Sequence, residues 1–239
     1  MNQRTFLPIP IEHEEPYSDS KDLKLVGYTK DRIRYAIKRV QDGDLLPISE
    51  WIGHRLCEQC GVLVPEYHIV ACIDGQLAFG SRWEDTAEQI GPEGPMRALE
   101  LLADHASDIS AIFAVDQFFP NPDRHTGNYL FVRRAETPMC LAMDFSRAGP
   151  ADQIPMGSLP LDPVCSTLVV IEQIIRDRLK KFDSASFSRA KARLASIKAD
   201  AFYAILDDAP DEWFQTVARE ELRQWWDNEH LVRADGVAP

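Results

Sequence analysis

Cysteine is scarce and shows no pairing pattern: Cys57, Cys60, Cys72, Cys140 and Cys165 make an odd, scattered set of 5. That excludes a disulfide framework, and Cys57-Glu-Gln-Cys60 is a single C-x-x-C without the second pair of a zinc site. Reduced, buried thiols are expected. No apolar run is long enough to cross a bilayer, and no basic, apolar, small-residue leader opens the chain. A cytoplasmic protein without a membrane span is expected. Positive charge is also in short supply, with Lys+Arg 26 against Asp+Glu 38 and a formal charge of −12. With no basic cluster to offset it, that charge repels nucleic acid at long range, so no direct nucleic-acid binding is expected. Internal repeats, coiled-coil heptads and low-complexity tracts are absent as well. What remains is an ordinary globular composition, 45% hydrophobic and 27% charged, in 239 residues. This is enough for one large domain or for two small lobes sharing an interface.

The chemistry concentrates in Asn121-Pro-Asp123-Arg124-His125-Thr126-Gly127-Asn128, a turn-rich stretch that opens into the apolar run 129–132. A second short strand, 139–143, ends in Asp144-Phe145-Ser146. Two such strands side by side deliver Asn128 and Asp144 near each other. An amide oxygen beside a carboxylate suits Mg²⁺, a hard cation that takes oxygen ligands and keeps phosphates as partners. Asp123 stands apart from that pair and is placed to accept or orient the proton of a substrate hydroxyl, as in a kinase catalytic loop followed by its metal aspartate. Taken singly, Asn-Pro-Asp and Thr-Gly-Asn are ordinary turn sequences. Order, spacing and strand context together carry the assignment.

Residues 1–16 hold Pro8, Pro10 and Pro16 among three glutamates, which predicts an extended arm without regular structure. Residues 23–28 and 33–40 read as a β-hairpin, with Ile33, Tyr35 and Ile37 on one face and Arg34, Ala36 and Lys38 on the other. By itself the pattern fits a solvent-exposed strand lysine; in a kinase, the lysine of Ala36-Ile37-Lys38 reaches the ATP phosphates. A first helix over 47–60 is predicted from Pro47, the repeat Ile48, Ile52, Leu56 and the stop at Gly61, with Glu50 early in it. A second hairpin follows over 64–70 and 76–79, and Gly80-Ser81-Arg82-Trp83 leaves the sheet as the candidate hinge whose backbone meets the adenine edge. From Met96 the pattern turns helical and leads through Asp116 into the catalytic stretch. After Ser146 comes a Pro/Gly-rich passage containing Ser158, then three predicted helices over 164–181, 184–206 and 211–229, whose apolar stripes and Trp225-Trp226 read as core.

With these residues laid out, the chain resembles the HipA-like atypical kinases, in particular short stand-alone members, over about 23–145. More distantly its catalytic loop resembles that of the phosphatidylinositol 3- and 4-kinases. The resemblance implies an α+β bilobal protein-kinase-like fold: a small antiparallel-sheet N-lobe with one helix at 23–83, and a larger, mainly helical C-lobe at 84–230. An N-terminal arm with a phosphate-covering loop (1–22) and a C-terminal tail (231–239) flank them. It implies ATP and Mg²⁺ as cofactors, Lys38 on the phosphates, Glu50 orienting Lys38, Asp123 as catalytic base with His125 beside it, Asn128 and Asp144 as metal ligands, and Ser81 and Arg82 at the nucleotide. Two features depart from the family pattern: Tyr17-Ser-Asp-Ser20-Lys21 has no glycine, and Ser146 stands in place of the glycine of Asp-Phe-Gly. The expected activity is Mg-ATP-dependent phosphate transfer to a protein serine or threonine, with a DNA-binding antitoxin as the kind of partner some relatives have. A small-molecule or lipid kinase, and a nucleotide-binding pseudokinase that works by docking, are the alternatives. The acceptor and the oligomeric state are not written in the sequence.

Overall fold

The computed structural model describes residues 7–18, 23–42, 45–89, 95–134, 137–151, 161–215 and 217–239. The expectations resting on Ser20, Lys21, the loop 91–94 and Ser158 lie outside them.

The N-terminal half is a six-stranded sheet in the order β1-β5-β6-β4-β3-β2. Its strands are β1 (Ile9–Pro10), β2 (His13–Pro16), β3 (Leu25–Tyr28), β4 (Arg34–Lys38), β5 (Tyr67–Ala71) and β6 (Leu77–Arg82). Both expected hairpins are present, as the antiparallel pairs β3–β4 and β5–β6. The proline-rich arm, predicted to lack regular structure, contributes β1 and β2, each at a sheet edge where a missing N–H is tolerated. Only Ile11 and Glu12 separate these two strands, a reach of about 11 Å at most. The edges of a flat sheet of this order would stand about 24 Å apart. The sheet must therefore roll until its edges meet. Ile11 N–H donates to Ala71 O at 2.9 Å and Glu12 N–H to Tyr28 O at 2.8 Å across the seam. Inside the roll pack Ile11, Leu25, Tyr35, Ile37, Val70, Cys72 and Ala78. Gly27 permits this closeness, since a Cβ there would lie 2.3 Å from Ile37 Cδ1 and 2.9 Å from Ile11 Cγ2.

Helix α1 (Leu46–Cys60) follows β4 and is buried on almost every side, well beyond the single stripe that its periodicity predicts. The reason is tertiary: Trp51 Nε1 donates to Ile205 O at 2.8 Å and Arg55 reaches Asp208 at 3.2 Å, so the C-terminal helices cover its second face. In the C-terminal half, α2 (Pro95–Asp104) and α3 (Ala106–Phe118) lie in the chain between the first and second strands of a small sheet, β7 (Glu88–Gln89)–β8 (Tyr129–Arg134)–β9 (Thr137–Ala142). The short α4 (Ser166–Leu168) runs on as a π-helix, Val169–Arg178.

The single helix predicted over 184–206 is two, α5 (Ser184–Ser196) and α6 (Ala199–Asp207). The apolar stripe crosses the break, but His230 Nε2 donates to Leu194 O at 2.8 Å, and this distant partner satisfies a carbonyl of the last turn of α5. The last helix, α7 (Arg219–Gly236), starts later and runs further than the predicted 211–229. Trp226 stacks between Phe202 at 4.1 Å and His230 at 4.2 Å, a packing role as expected. All five cysteines are free.

Candidate active site

Between the two halves lies a cleft of about 1080 Å³, and every residue singled out from the sequence lines it: Lys38, Glu50, Ser81, Arg82, Asp123, His125, Asn128 and Asp144. The floor is set by strand register. Tyr129 faces Ala142, so the residues just outside the pair, Asn128 and Met143, meet as well, and Met143 N–H donates to Asn128 O at 3.3 Å. Asn128 Nδ2 donates to Asp123 O at 2.9 Å, fixing the amide so that its oxygen is the acceptor end. The expected delivery of Asn128 and Asp144 to one place follows from this register.

Lys38 is not solvent-exposed. It is buried to 7% of its surface, and its ammonium contacts Glu50 Oε1, Ser146 Oγ and, at 2.8 Å, Asp144 Oδ1. Burial works against the charged amine, but the Asp144 and Glu50 carboxylates outweigh it and hold Lys38 protonated, its pKa above the ordinary lysine value. Burial likewise pushes the Asp144 carboxyl up, and the Lys38 charge with the Ser146 hydrogen bonds more than reverses this, so Asp144 stays ionised. Glu50 Oε1 also accepts from Phe145 N at 3.0 Å, which ties α1 to the metal motif. His54, one turn on, is held neutral by burial, its pKa pushed down to about 3, and packs against Phe145 with ring centroids 5.3 Å apart.

Gly53 lets this happen. A Cβ there would lie 2.4 Å from Phe145 Cγ, so the ring of the metal motif sits directly on the helix backbone. Gly53→Ala gains helix propensity of about 1 kcal/mol, yet it forces the buried ring aside. Overpacking costs about 1–3 kcal/mol, so a net destabilisation of up to about 2 kcal/mol in denaturant unfolding is expected. A stabilised variant would show that the helix and the motif are not in register as described.

The loop carrying Asp123 is braced from below by a residue to which the sequence reading gave no role. Arg124 is fully buried, and its guanidinium grips both oxygens of Asp116 on α3 at 2.9 Å. It also donates to the backbone oxygens of Asn128, at 3.2 Å, and Met143. Asp116 is thus a brace and not a solvated acid. Thr167 accepts from Arg124 N at 3.0 Å and donates to Asn121 O, pinning the loop to α4. The available signal was an acid inside the apolar stripe of α3, five residues before the turn that starts at Asn121, and that is weak on its own. His125 is exposed, and its Nδ1 accepts from Gly127 N at 3.0 Å.

The hinge needs a shift. Ser81 and Arg82 still belong to β6, opposite Ala36 and Tyr35 of β4, and Trp83 N–H donates to Arg34 O at 2.8 Å. The chain crosses to β7 over 84–87, where Glu84, Asp85 and Ala87 line the cleft. Arg82 turns to Glu66 at 2.6 Å on the rim. Local strand signals stop at Phe79, whereas pairing with neighbours on both sides extends the strand to Arg82. The apolar liners Leu23, Ala36, Leu130 and Met143 were not singled out from the sequence. Tyr17 lines the cleft from the β2–β3 connection, with its ring 5.7 Å from Trp83.

The fold has counterparts among solved structures. CtkA, a proinflammatory kinase of Helicobacter pylori, matches with a TM-score of 0.58 at 16% identity, over 98% of this chain and 100% of its own. HipA of Shewanella oneidensis MR-1, solved with HipB and its operator DNA, matches with a TM-score of 0.53 at 11% identity, over 98% of this chain and 67% of its own. The chain has a HipA-like kinase fold. At these identities the likeness is one of fold. No family model and no curated protein matches the sequence. Neither structure is a phosphatidylinositol kinase, and the more distant likeness stays with the catalytic-loop motif. In the terms of the HipA-like fold, the rolled sheet and α1 are the N-lobe and the helices from α2 onward the C-lobe. Among the described residues no helix is long and apolar enough to cross a membrane.

Proposed function

We propose that the protein is a Mg-ATP-dependent phosphotransferase of the HipA-like kind, acting on a serine or threonine hydroxyl of a protein in the cytoplasm. The observation that carries this reading is the Lys38–Glu50 ion pair, formed with Asp144 in the same cleft that Asp123 lines from the opposite lobe. The donor set fits magnesium. Among the described residues no three His, Cys, Asp or Glu side chains cluster into a protein cage, and Asn128 with Asp144 offers the two oxygen ligands that suit a metal completed by phosphates and water. Held there by Asn128 and Asp144, the metal would supply charge neutralisation to those phosphates.

The chain's own groups do the rest. Leu23 and Ala36 from one lobe and Leu130 and Met143 from the other form apolar walls for a purine, and the backbone of 84–87 faces its edge. Lys38 supplies a fixed cation to the phosphates, oriented by Glu50. Asp123 accepts the proton of the acceptor hydroxyl. His125, with Nδ1 occupied by Gly127 N–H, presents Nε2–H at the acceptor end. Catalysis is then positioning and electrostatic stabilisation. A chain of charge −12 is poorly suited to touch DNA itself, so any operator contact belongs to a separate partner.

The test is transfer of radiolabelled phosphate from Mg-ATP to protein, small-alcohol and lipid pools. Labelled protein hydroxyls are expected. Tight Mg-ATP binding with no transfer to any pool would instead favour a docking module. Calorimetry of Asp144→Asn is expected to show Mg-ATP affinity at least about ten-fold weaker, since a charged oxygen ligand is lost. Unchanged affinity would remove Asp144 from the metal role.

A further inference from the structure

Ser146 stands where the Asp-Phe-Gly pattern has a glycine, and it does three things that a glycine cannot do together. It is buried to 2% of its surface. Its hydroxyl donates to Glu50 Oε1 at 3.0 Å and accepts from Lys38 Nζ, while its backbone N–H donates to Asp144 Oδ1 at 3.2 Å. A hydroxyl has one proton and two lone pairs, so both side-chain contacts are made at once. One residue therefore touches the lysine, the glutamate and the aspartate. The bond to Asp144 also closes a local turn around a residue in left-handed backbone, φ 63°, a conformation that aspartate tolerates when its side chain bonds the chain two residues on. A glycine would keep that one bond, lose both others and add backbone freedom.

We propose that Ser146 is a positioning residue: its hydroxyl ties Lys38 to Glu50 and its backbone N–H holds Asp144, so that the three keep their joint arrangement before any ligand arrives. The departure from the glycine pattern is then a device for preorganisation rather than a loss of function. Its consequence for nucleotide rests on the kinase reading above; the arrangement itself does not. Two donors report on it directly, Phe145 N–H on Glu50 Oε1 and Ser146 N–H on Asp144 Oδ1.

Hydrogen exchange on the ligand-free protein, followed by calorimetry with Mg-ATP, tests the proposal in the wild type, Ser146→Ala and Ser146→Thr. In Ser146→Ala, exchange at positions 145 and 146 is expected to accelerate about ten-fold while amides of α3 keep their protection, the local opening expected when a bond to a charged group is lost. The dissociation constant for Mg-ATP is expected to rise about five- to ten-fold in the same variant, by loss of preorganisation. Ser146→Thr, which keeps the hydroxyl, is expected to stay within about two-fold of wild type in both readouts. Unchanged exchange at 145 and 146 in Ser146→Ala overturns the proposal, and so does an acceleration shared by the whole chain. If the local exchange responds as expected but the wild type binds no Mg-ATP, the positioning role stands and the kinase reading falls. If the wild type and Ser146→Ala bind Mg-ATP equally and exchange alike, the kinase reading stands and the role of Ser146 falls.

Discussion

Asp123→Asn is expected to bind Mg-ATP as the wild type does and to lose phosphate transfer by about 10²–10⁴-fold, the usual contribution of a positioned general base. The separation follows from how the loop is built. Asp123 engages its neighbours through the backbone: its N–H donates to Asn121 Oδ1 at 3.2 Å, and its carbonyl accepts from Asn128 Nδ2 at 2.9 Å. Those bonds survive the change to an amide, so Asn128 stays oriented and the metal pair is undisturbed. Only the side chain proposed to meet the acceptor changes, and an amide cannot take a proton. Parallel calorimetry and phosphate-transfer assays read the two effects separately. Equal loss of both would assign Asp123 to the metal shell or to the scaffold of the loop. Full transfer by the variant would sink the base assignment.

The second large effect lies beneath the site. Arg124→Met is expected to cost about 3–5 kcal/mol of stability, the range seen when one partner of a buried ion pair is removed. Asp116 would be left fully buried without its cation, and the carbonyls of Asn128 and Met143 would lose their shared donor. At about 2–4 °C per kcal/mol for a chain of this size, the melting temperature should fall by roughly 6–20 °C. Adding Asp116→Leu should restore part of the loss, because the orphaned carboxylate goes with it. A fall of under about 1 kcal/mol in Arg124→Met would mean that the pair is hydrated and does not brace the loop.

The order of chemistry along the chain was legible locally. A lysine strand, then a glutamate helix, then Asp123, Asn128 and Asp144 on turns bounded by short apolar strands can each be recognised within about ten residues. Strand alternation at 33–40 and the proline-to-glycine limits of α1 depend on neighbours in sequence, and both elements formed where expected. The expected cleft residues all line one cavity for the same reason, since a hairpin between Asn128 and Asp144 leaves little choice about where the two ends go.

What the sequence by itself determined was therefore the identity and order of the reactive groups. Tertiary structure alone decided how they are held. Nothing local distinguishes Lys38 from an exposed strand lysine; it is buried because α1 and the Asp144 turn close over it. Nothing local makes Arg124 a brace either, since its partner lies on the preceding helix and its two carbonyl acceptors come from different strand ends. The proline-rich arm becomes strands only because a rolled sheet offers it two free edges, and at the break in the helix over 184–206 a histidine from α7 shares Leu194 O with the local Ile197 N–H. Except for Arg124, whose partner Asp116 is eight residues back, the deciding partner lies far along the chain. Desolvation and hydrogen-bond satisfaction act on what is near in space, and no window of sequence contains that neighbourhood.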